Sequence, residues 1–184
     1  MAARGYWQSF KLVKASIDKI LSGNNAGDIL DDEHGNWYIP LFSPSITVGI
    51  LKPSHLAGYR NKQGFIGQSK HTPMTVDAVR DTMPLLFDLL KNEEHPGVRA
   101  VLEHFIFVYI HPYGNGNERI ARFLMNAMQA SGCYPWMVIP LEERKTYMPA
   151  LEKASVELDI IPFTEFLAWL VKAIMDEKPI AKLK

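Results

Sequence analysis

The residues best placed to do chemistry lie in HPYGNGNERIAR, residues 111–122, directly after the apolar run FIFVYI. His111 supplies a ring that titrates near neutrality. Arg119 and Arg122 carry forked donors suited to phosphate oxygens. A Gly–Asn loop separates them from the histidine and opens into a helix, and the free amides of such a start attract anions. Arg119, Arg122 and Asn126 are spaced i, i+3, i+7 and share one face of that helix. A proton acceptor beside a phosphate cradle suits transfer of a phosphoryl or nucleotidyl group to a hydroxyl.

Each piece alone has an ordinary explanation. A histidine ending an apolar helix is more often a hydrogen-bonded core residue, paired arginines more often a solvated face, and Gly–Asn–Gly–Asn more often just a turn. Their coincidence within one short stretch, in an order that serves one reaction, favours the chemical reading. Zinc chemistry from His104 and His111 is a poor rival: at about 1.5 Å of rise per residue the two stand roughly 10 Å apart. Cys133 has no identifiable activating partner and reads as a small core residue.

Helical periods surround the motif. Residues 6–21 place Phe10, Val13, Ile17, Ile20 and Leu21 near one face, and Gly23, Asn24 and Asn25 end the pattern. The stretch NNAGDILDDEHGN is polar and turn-rich and reads as a loop or linker. Short helical pieces are expected at 44–51 and 53–60, with Pro44 and Pro53 in first-turn positions. GYRNKQGFIGQSKHTP breaks the helical period, and Phe65 and Ile66 between Gly64 and Gly67 read as a short hairpin or extended flap. Thr75 is placed to cap a helix over 76–92, whose apolar face is Val76, Val79, Met83, Leu86, Phe87 and Leu90. A central helix follows over 98–110. The next, 118–131, turns Ile120, Phe123, Leu124, Ala127 and Met128 to the core and stops at Gly132. Helices at 142–156 and 162–176 complete a mainly α fold.

Bulk properties narrow the function. The chain has 184 residues, enough for one domain with a real core, and 47% of them are hydrophobic. Twenty basic and twenty acidic residues cancel, which argues against a broad grip on nucleic acid. A single cysteine forms no internal disulfide. No apolar stretch approaches the roughly 20 residues of a membrane span, and the N-terminus lacks the order of a secretory signal. A cytoplasmic protein with no membrane or nucleic-acid partner is expected.

HPYGNGNERIAR resembles the signature of the Fic family, His-x-Phe-x-(Asp/Glu)-Gly-Asn-(Gly/Lys)-Arg-x-x-Arg. RFLMNAMQASGCYPWMVIP is similar to the helix and strand-like segment that follow in Fic domains, EERKTYMPALEKAS to their next helix, and LAGYRNKQGFIGQSKHTP to their lead-in and flap. The likeness covers residues 40–175. It implies a Fic-type helical bundle with a short β-hairpin flap, a Fic domain over 40–176, an N-terminal helix and linker over 1–39, and a tail over 177–184. The implied activity is transfer of AMP from ATP, with magnesium or manganese, to a Ser, Thr or Tyr hydroxyl of a target protein. By position, His111 would be the general base, Gly116 and Asn117 would shape the anion hole, and Arg119 and Arg122 would hold the distal phosphates. Tyr147 and Leu151 would lie beside the adenine. Phe65, Ile66 and Gly67 would dock the target segment by strand-like pairing. Tyr113 replaces the usual Phe and is expected to anchor the loop in the core.

Three departures qualify the likeness. Asn115 stands at the acidic magnesium-ligating position, and an amide oxygen brings no charge. Glu118 stands where the family has a small residue. It suits the helix dipole, yet it sets negative charge in the phosphate-binding group and is placed to engage Arg119 or Arg122. The alternative function is therefore a catalytically silent Fic fold that binds nucleotide or docks a protein. Finally, no glutamate here sits in the family's inhibitory pattern (Ser/Thr)-x-x-x-Glu-(Gly/Asn). Such a helix is expected to be lost upstream or supplied in trans by a partner or antitoxin, with helix 6–21 a remnant of an N-terminal extension. Resemblance also allows a homodimer.

Overall fold

The computed structural model describes residues 2–178. The expected tail over 177–184 lies mostly outside them. Among the described residues seven α-helices form the fold: α1 (Ala2–Leu21), α2 (Ala26–Thr47), α3 (Val76–Asn92), α4 (Pro96–Ile110), α5 (Asn117–Ala130), α6 (Arg144–Glu157) and α7 (Ile161–Met175). A single 3₁₀ turn, Pro53–Leu56, lies between α2 and α3.

The segment read as a loop or linker is the first half of α2, a correction with a clear cause. Asn25 caps the helix, its side chain accepting from the Gly27 and Asp28 amides at 2.8 and 3.2 Å. Leu30, His34, Trp37, Tyr38, Leu41 and Phe42 then fall on one buried face. Gly27 within the packed face, and Gly35 and acidic residues outside it, masked that spacing. The expected helix at 44–51 is only the last turn of α2, and the piece at 53–60 shrinks to the 3₁₀ turn. Pro44 sits inside α2 rather than at a helix start. The proline has no N–H for the Pro40 carbonyl, and the Ser43 hydroxyl donates to that carbonyl at 3.2 Å instead.

α1 meets α2 along a seam of small residues. Gly5, Ser9 and Ser16 are buried with Val13 and Ile20. A Cβ on Gly5 would stand 2.3 Å from the Leu41 carbonyl oxygen, so the two backbones approach only because that residue is glycine. Ser9 donates to the Trp37 carbonyl at 2.7 Å, and the Trp37 indole donates to Ser16 at 3.2 Å. Leu21, expected on the apolar face, is exposed.

α5 is the most enclosed helix. Ile120, Phe123, Leu124, Ala127 and Met128 are fully buried as their spacing predicts, and Ala121 and Met125 join them. Burying such side chains is worth roughly 1.5–3 kcal/mol each before chain entropy is counted. α3 is capped by Thr75 and buries Val79, Met83, Leu86, Phe87 and Leu90. Cys133, read as a core residue, is exposed.

No strand occurs among the described residues, so the expected hairpin at 64–67 is absent. Phe65 and Ile66 favour extension, but no segment lies opposite to complete a ladder. Residues 60–75 form an irregular flap held by side chains, with Phe65 86% exposed.

Candidate functional site

α4 ends at Ile110, and His111 turns the chain out of it in the left-handed conformation (φ 55°, ψ 58°). This geometry is uncommon for a residue with a side chain and stands only where neighbours enforce it. Tyr113 supplies much of that enforcement. It is buried and stacks on Tyr38 of α2, the ring centroids 4.0 Å apart and the planes 11° from parallel. Asn117 closes the loop, its Oδ1 accepting from the Tyr113 amide and its Nδ2 donating to the Tyr113 carbonyl, both at 2.8 Å. Gly116 then starts α5 at φ +78°, and a Cβ there would stand 2.8 Å from the Phe42 ring. Only glycine fits. Gly116 also brings no capping side chain, so the first amides of α5 are left for an anion.

The His111 ring is partly buried. Its Nδ1 is enclosed, and the Val108 carbonyl is the polar group that meets the ring. Burial lowers its pKa to about 4, the Val108 carbonyl opposing and the charges of Arg60 and His71 adding to the fall. At neutral pH the ring is an unprotonated acceptor.

Beyond α5 lies a cavity of about 330 Å³ lined by Glu118, Arg122, Asn126, Tyr147, Arg144 and, from α1, Tyr6, with the 137–141 segment completing it. The Glu118 carboxylate stands 3.8 Å from the Arg122 guanidinium. Asn126 fixes the far wall: its Nδ2 donates to the Arg122 and Met137 carbonyls and its Oδ1 accepts from the Met137 amide at 2.6 Å. Tyr147 is pinned from behind, its hydroxyl 2.7 Å from Nε2 of the fully buried His104. Burial drives the His104 pKa down to about 3, so that ring is neutral. The adjacent Glu103 is buried with neither carboxyl oxygen partnered, and burial raises its pKa well above the ordinary value.

The expected site residues are thus only partly assembled. Glu118, Arg122 and Tyr147 face one cavity; His111 and Arg119 do not line it. Arg119 lies with its guanidinium 4.7 Å from the Phe42 ring centroid, and burial together with the Arg122 charge lowers its pKa. Leu151 is buried in the core. Asn117 spends its side chain on closing the loop, leaving its backbone for any anion. Phe65, Ile66 and Gly67 lie on the flap, and Gly67 borders a second, open hollow between flap and α6. The two hollows share Leu141 and Arg144.

Metal ligands are sparse. No group of three or more His, Cys, Asp or Glu residues stands at metal-binding distance among the described residues. The Asn115 Oδ1 already accepts from the Gly116 amide at 2.7 Å. The motif therefore offers a divalent cation one neutral oxygen and no free carboxylate, which does not make a protein-built magnesium site.

Several contributors were not legible as functional. Tyr38 and Phe42 fall between the stretch read as linker and the short piece expected at 44–51, where no helix was expected. His104 entered only as a rejected zinc ligand, though its burial two turns before His111 on an apolar helix was a signal. Arg60 carried no signal beyond its place ahead of the flap.

A helical bundle with a histidine-led loop feeding the amino end of a buried helix defines the class. Residues 45–129 match the family model for the Fic/DOC family, and the chain carries a domain of that family. Protein adenylyltransferase Fic of Nematostella vectensis is 33% identical over 133 residues, covering 70% of this chain and 30% of the relative. Protein adenylyltransferase fic-1 of Caenorhabditis elegans is 29% identical over 125 residues, covering 66% of this chain and 24% of the relative. The chain therefore spans less than a third of the length of these relatives. Among solved structures, Fic-1 of C. elegans superposes with a TM-score of 0.76 at 21% identity, covering 96% of this chain and 49% of that one. A Fic domain containing signaling protein from Bacteroides thetaiotaomicron gives 0.67 at 19% identity, covering 94% and 74%. At these identities the superpositions establish the fold alone. No described helix is long and apolar enough to cross a membrane.

Proposed function

We propose that this chain transfers AMP from ATP to a Ser, Thr or Tyr hydroxyl of a target protein. The observation that carries the reading is His111, held unprotonated in a left-handed turn immediately ahead of the uncapped amino end of α5. In this mechanism His111 Nε2 accepts the proton of the target hydroxyl. The hydroxyl oxygen attacks the α-phosphorus, the bond to the bridging oxygen breaks, and pyrophosphate leaves. The first amides of α5 and the Arg122 guanidinium receive the growing negative charge. Arg119 adds a second positive charge alongside, and Tyr147 walls the nucleotide cavity. Leu151 contributes from the core by holding α6 in place. Phe65, Ile66 and Gly67 present the flap backbone to the target. Fic enzymes usually work with magnesium and ATP; with an amide at Asn115, this chain would offer such an ion at most one neutral oxygen.

Glu118 supports the second reading, a silent nucleotide-binding or docking module, because it occupies Arg122. Magnitudes favour nucleotide binding at Arg122 despite this pair. A half-exposed i, i+4 pair is worth roughly 0.3–0.5 kcal/mol, whereas a hydrogen bond to a charged group contributes about 1.5–3 kcal/mol. Phosphate displaces the carboxylate, at some loss of affinity.

The test is incubation with labelled ATP and magnesium or manganese, with cell lysate as the source of targets. Native protein transfers label, and His111→Ala loses about 100-fold or more while binding ATP as before. ATP binding without transfer by the native protein supports the silent module.

A further inference from the structure

We propose that Arg60 is a positioning residue that locks the flap to the catalytic loop, so that target docking and base placement move as one unit. Its role as such rests on the reading of His111 and the flap given above; the mechanical coupling does not.

Arg60 is 7% exposed, and no carboxylate pairs with it among the described ion pairs. Its donors are spent on carbonyls of two separate segments. Nε donates to the His111 carbonyl at 2.8 Å, Nη1 to the Lys62 carbonyl at 2.9 Å and Nη2 to the Met74 carbonyl. Its own backbone N–H donates to the Pro112 carbonyl at 2.8 Å. One planar fork thus ties both roots of the flap, Lys62 and Met74, to the turn that holds His111. Gly64 lies against the same group, where a Cβ would stand 3.1 Å from Nε.

Taking a cation out of water without a counter-ion is costly. Apolar side chains would fill the space more cheaply but would leave three carbonyls unpaired. What only the guanidinium supplies is a fixed geometry among them. The His111 carbonyl is the lever, because in a left-handed residue its direction sets the peptide plane and with it the ring. The guanidinium charge also contributes, after burial, to keeping His111 unprotonated.

The far end of the flap is fastened separately. Ser69 Oγ donates to Glu152 Oε2 at 2.5 Å and the Lys70 amide to Oε1 at 2.7 Å. That clamp reaches α6, and the neighbouring His71 ring meets the Tyr109 carbonyl near the end of α4 at 2.8 Å; neither touches the Arg60 fork, so Glu152→Gln serves as a control.

The experiment is backbone amide hydrogen exchange on the full chain, comparing native protein with Arg60→Lys, Arg60→Gln and Glu152→Gln. Both Arg60 variants are expected to exchange at least tenfold faster in 61–74 and in 111–116 together, with α6 and α7 unchanged. Glu152→Gln is expected to loosen only residues near 69–71. Faster exchange in one of the two segments alone, in neither, or evenly along the chain overturns the coupling. On activity, Arg60→Lys is expected to lower the rate of label transfer about tenfold while ATP affinity stays within twofold. A parallel loss of both marks a merely structural residue and overturns the positioning role. If native protein transfers no label, the functional reading fails on its own and the exchange result alone decides the coupling.

Discussion

The loop at 111–117 and the flap at 60–75 are both irregular, both border the candidate site, and are held in opposite ways. The loop is clasped on every side, by Tyr38 and Phe42 from α2, by Asn117 from α5 and by Arg60 from the flap root. The flap is fastened at its roots, at Glu152 and through the His71 ring to the Tyr109 carbonyl, and its Phe65 stands in solvent. Chemistry needs groups fixed before the substrate arrives, whereas binding of varied polypeptides tolerates a surface that adapts. The difference fits the proposed division, in which the loop serves the reaction and the flap the partner.

The contrast breaks most readily at Gly116. Replacing it by Ala adds a Cβ 2.8 Å from the Phe42 ring at φ +78°, and about 3 kcal/mol of destabilisation is expected. Calorimetry should show a Tm fall of several degrees together with lost ATP binding; an unchanged Tm would mean that α2 does not fix this turn.

Acid sharpens it next. His104 and His111 have pKa values near 3 and 4 in the folded chain against an ordinary 6.5. Below about 6.5 the unfolded chain takes up protons that the folded chain refuses, so stability falls as pH drops from 7 to 5. A lower Tm at pH 5, with 111–116 loosening before the flap roots, is expected, and a flat profile contradicts it. Glu103 acts in the opposite sense. Its folded form keeps a proton that the unfolded chain releases above about 4.5, so stability is lost as pH rises. Glu103→Gln should remove that loss and raise the Tm most at alkaline pH.

The smallest effect belongs to the flap tip. Phe65→Ser should change stability by less than about 0.5 kcal/mol, because nothing covers the ring. Labelling of lysate targets should nevertheless fall. A large Tm shift would show that the flap is part of the folded scaffold.

Sequence periodicity captured the elements whose apolar faces are regular, α3 and α5 above all, with every named core residue buried except Val76, which sits in the first turn of α3 and is only partly covered. It failed at α2, where Gly27, Gly35 and two prolines mimic a linker and the decisive signal is a cap plus six scattered apolar positions. It overstated the flap, since Phe65 and Ile66 express a strand preference that only a partner segment can satisfy. Within the site, Arg122 and Tyr147 were placed by motif and do share a cavity. Arg119 was assigned to the same anion site but rests on Phe42, because a helical face fixes where a side chain begins and leaves its far end to neighbours from another helix. Arg60 was invisible for the same reason. Its carbonyl partners lie up to 51 residues away.

Tyr6 lines the cavity from the first helix, and Tyr147 does so from the sixth. Both fall outside the stretch that matches the family model. A fragment trimmed to that stretch would keep the histidine and both arginines yet lose two walls of the cavity beside Arg122. Anyone excising a minimal unit for biochemistry should carry α1 and α6 along.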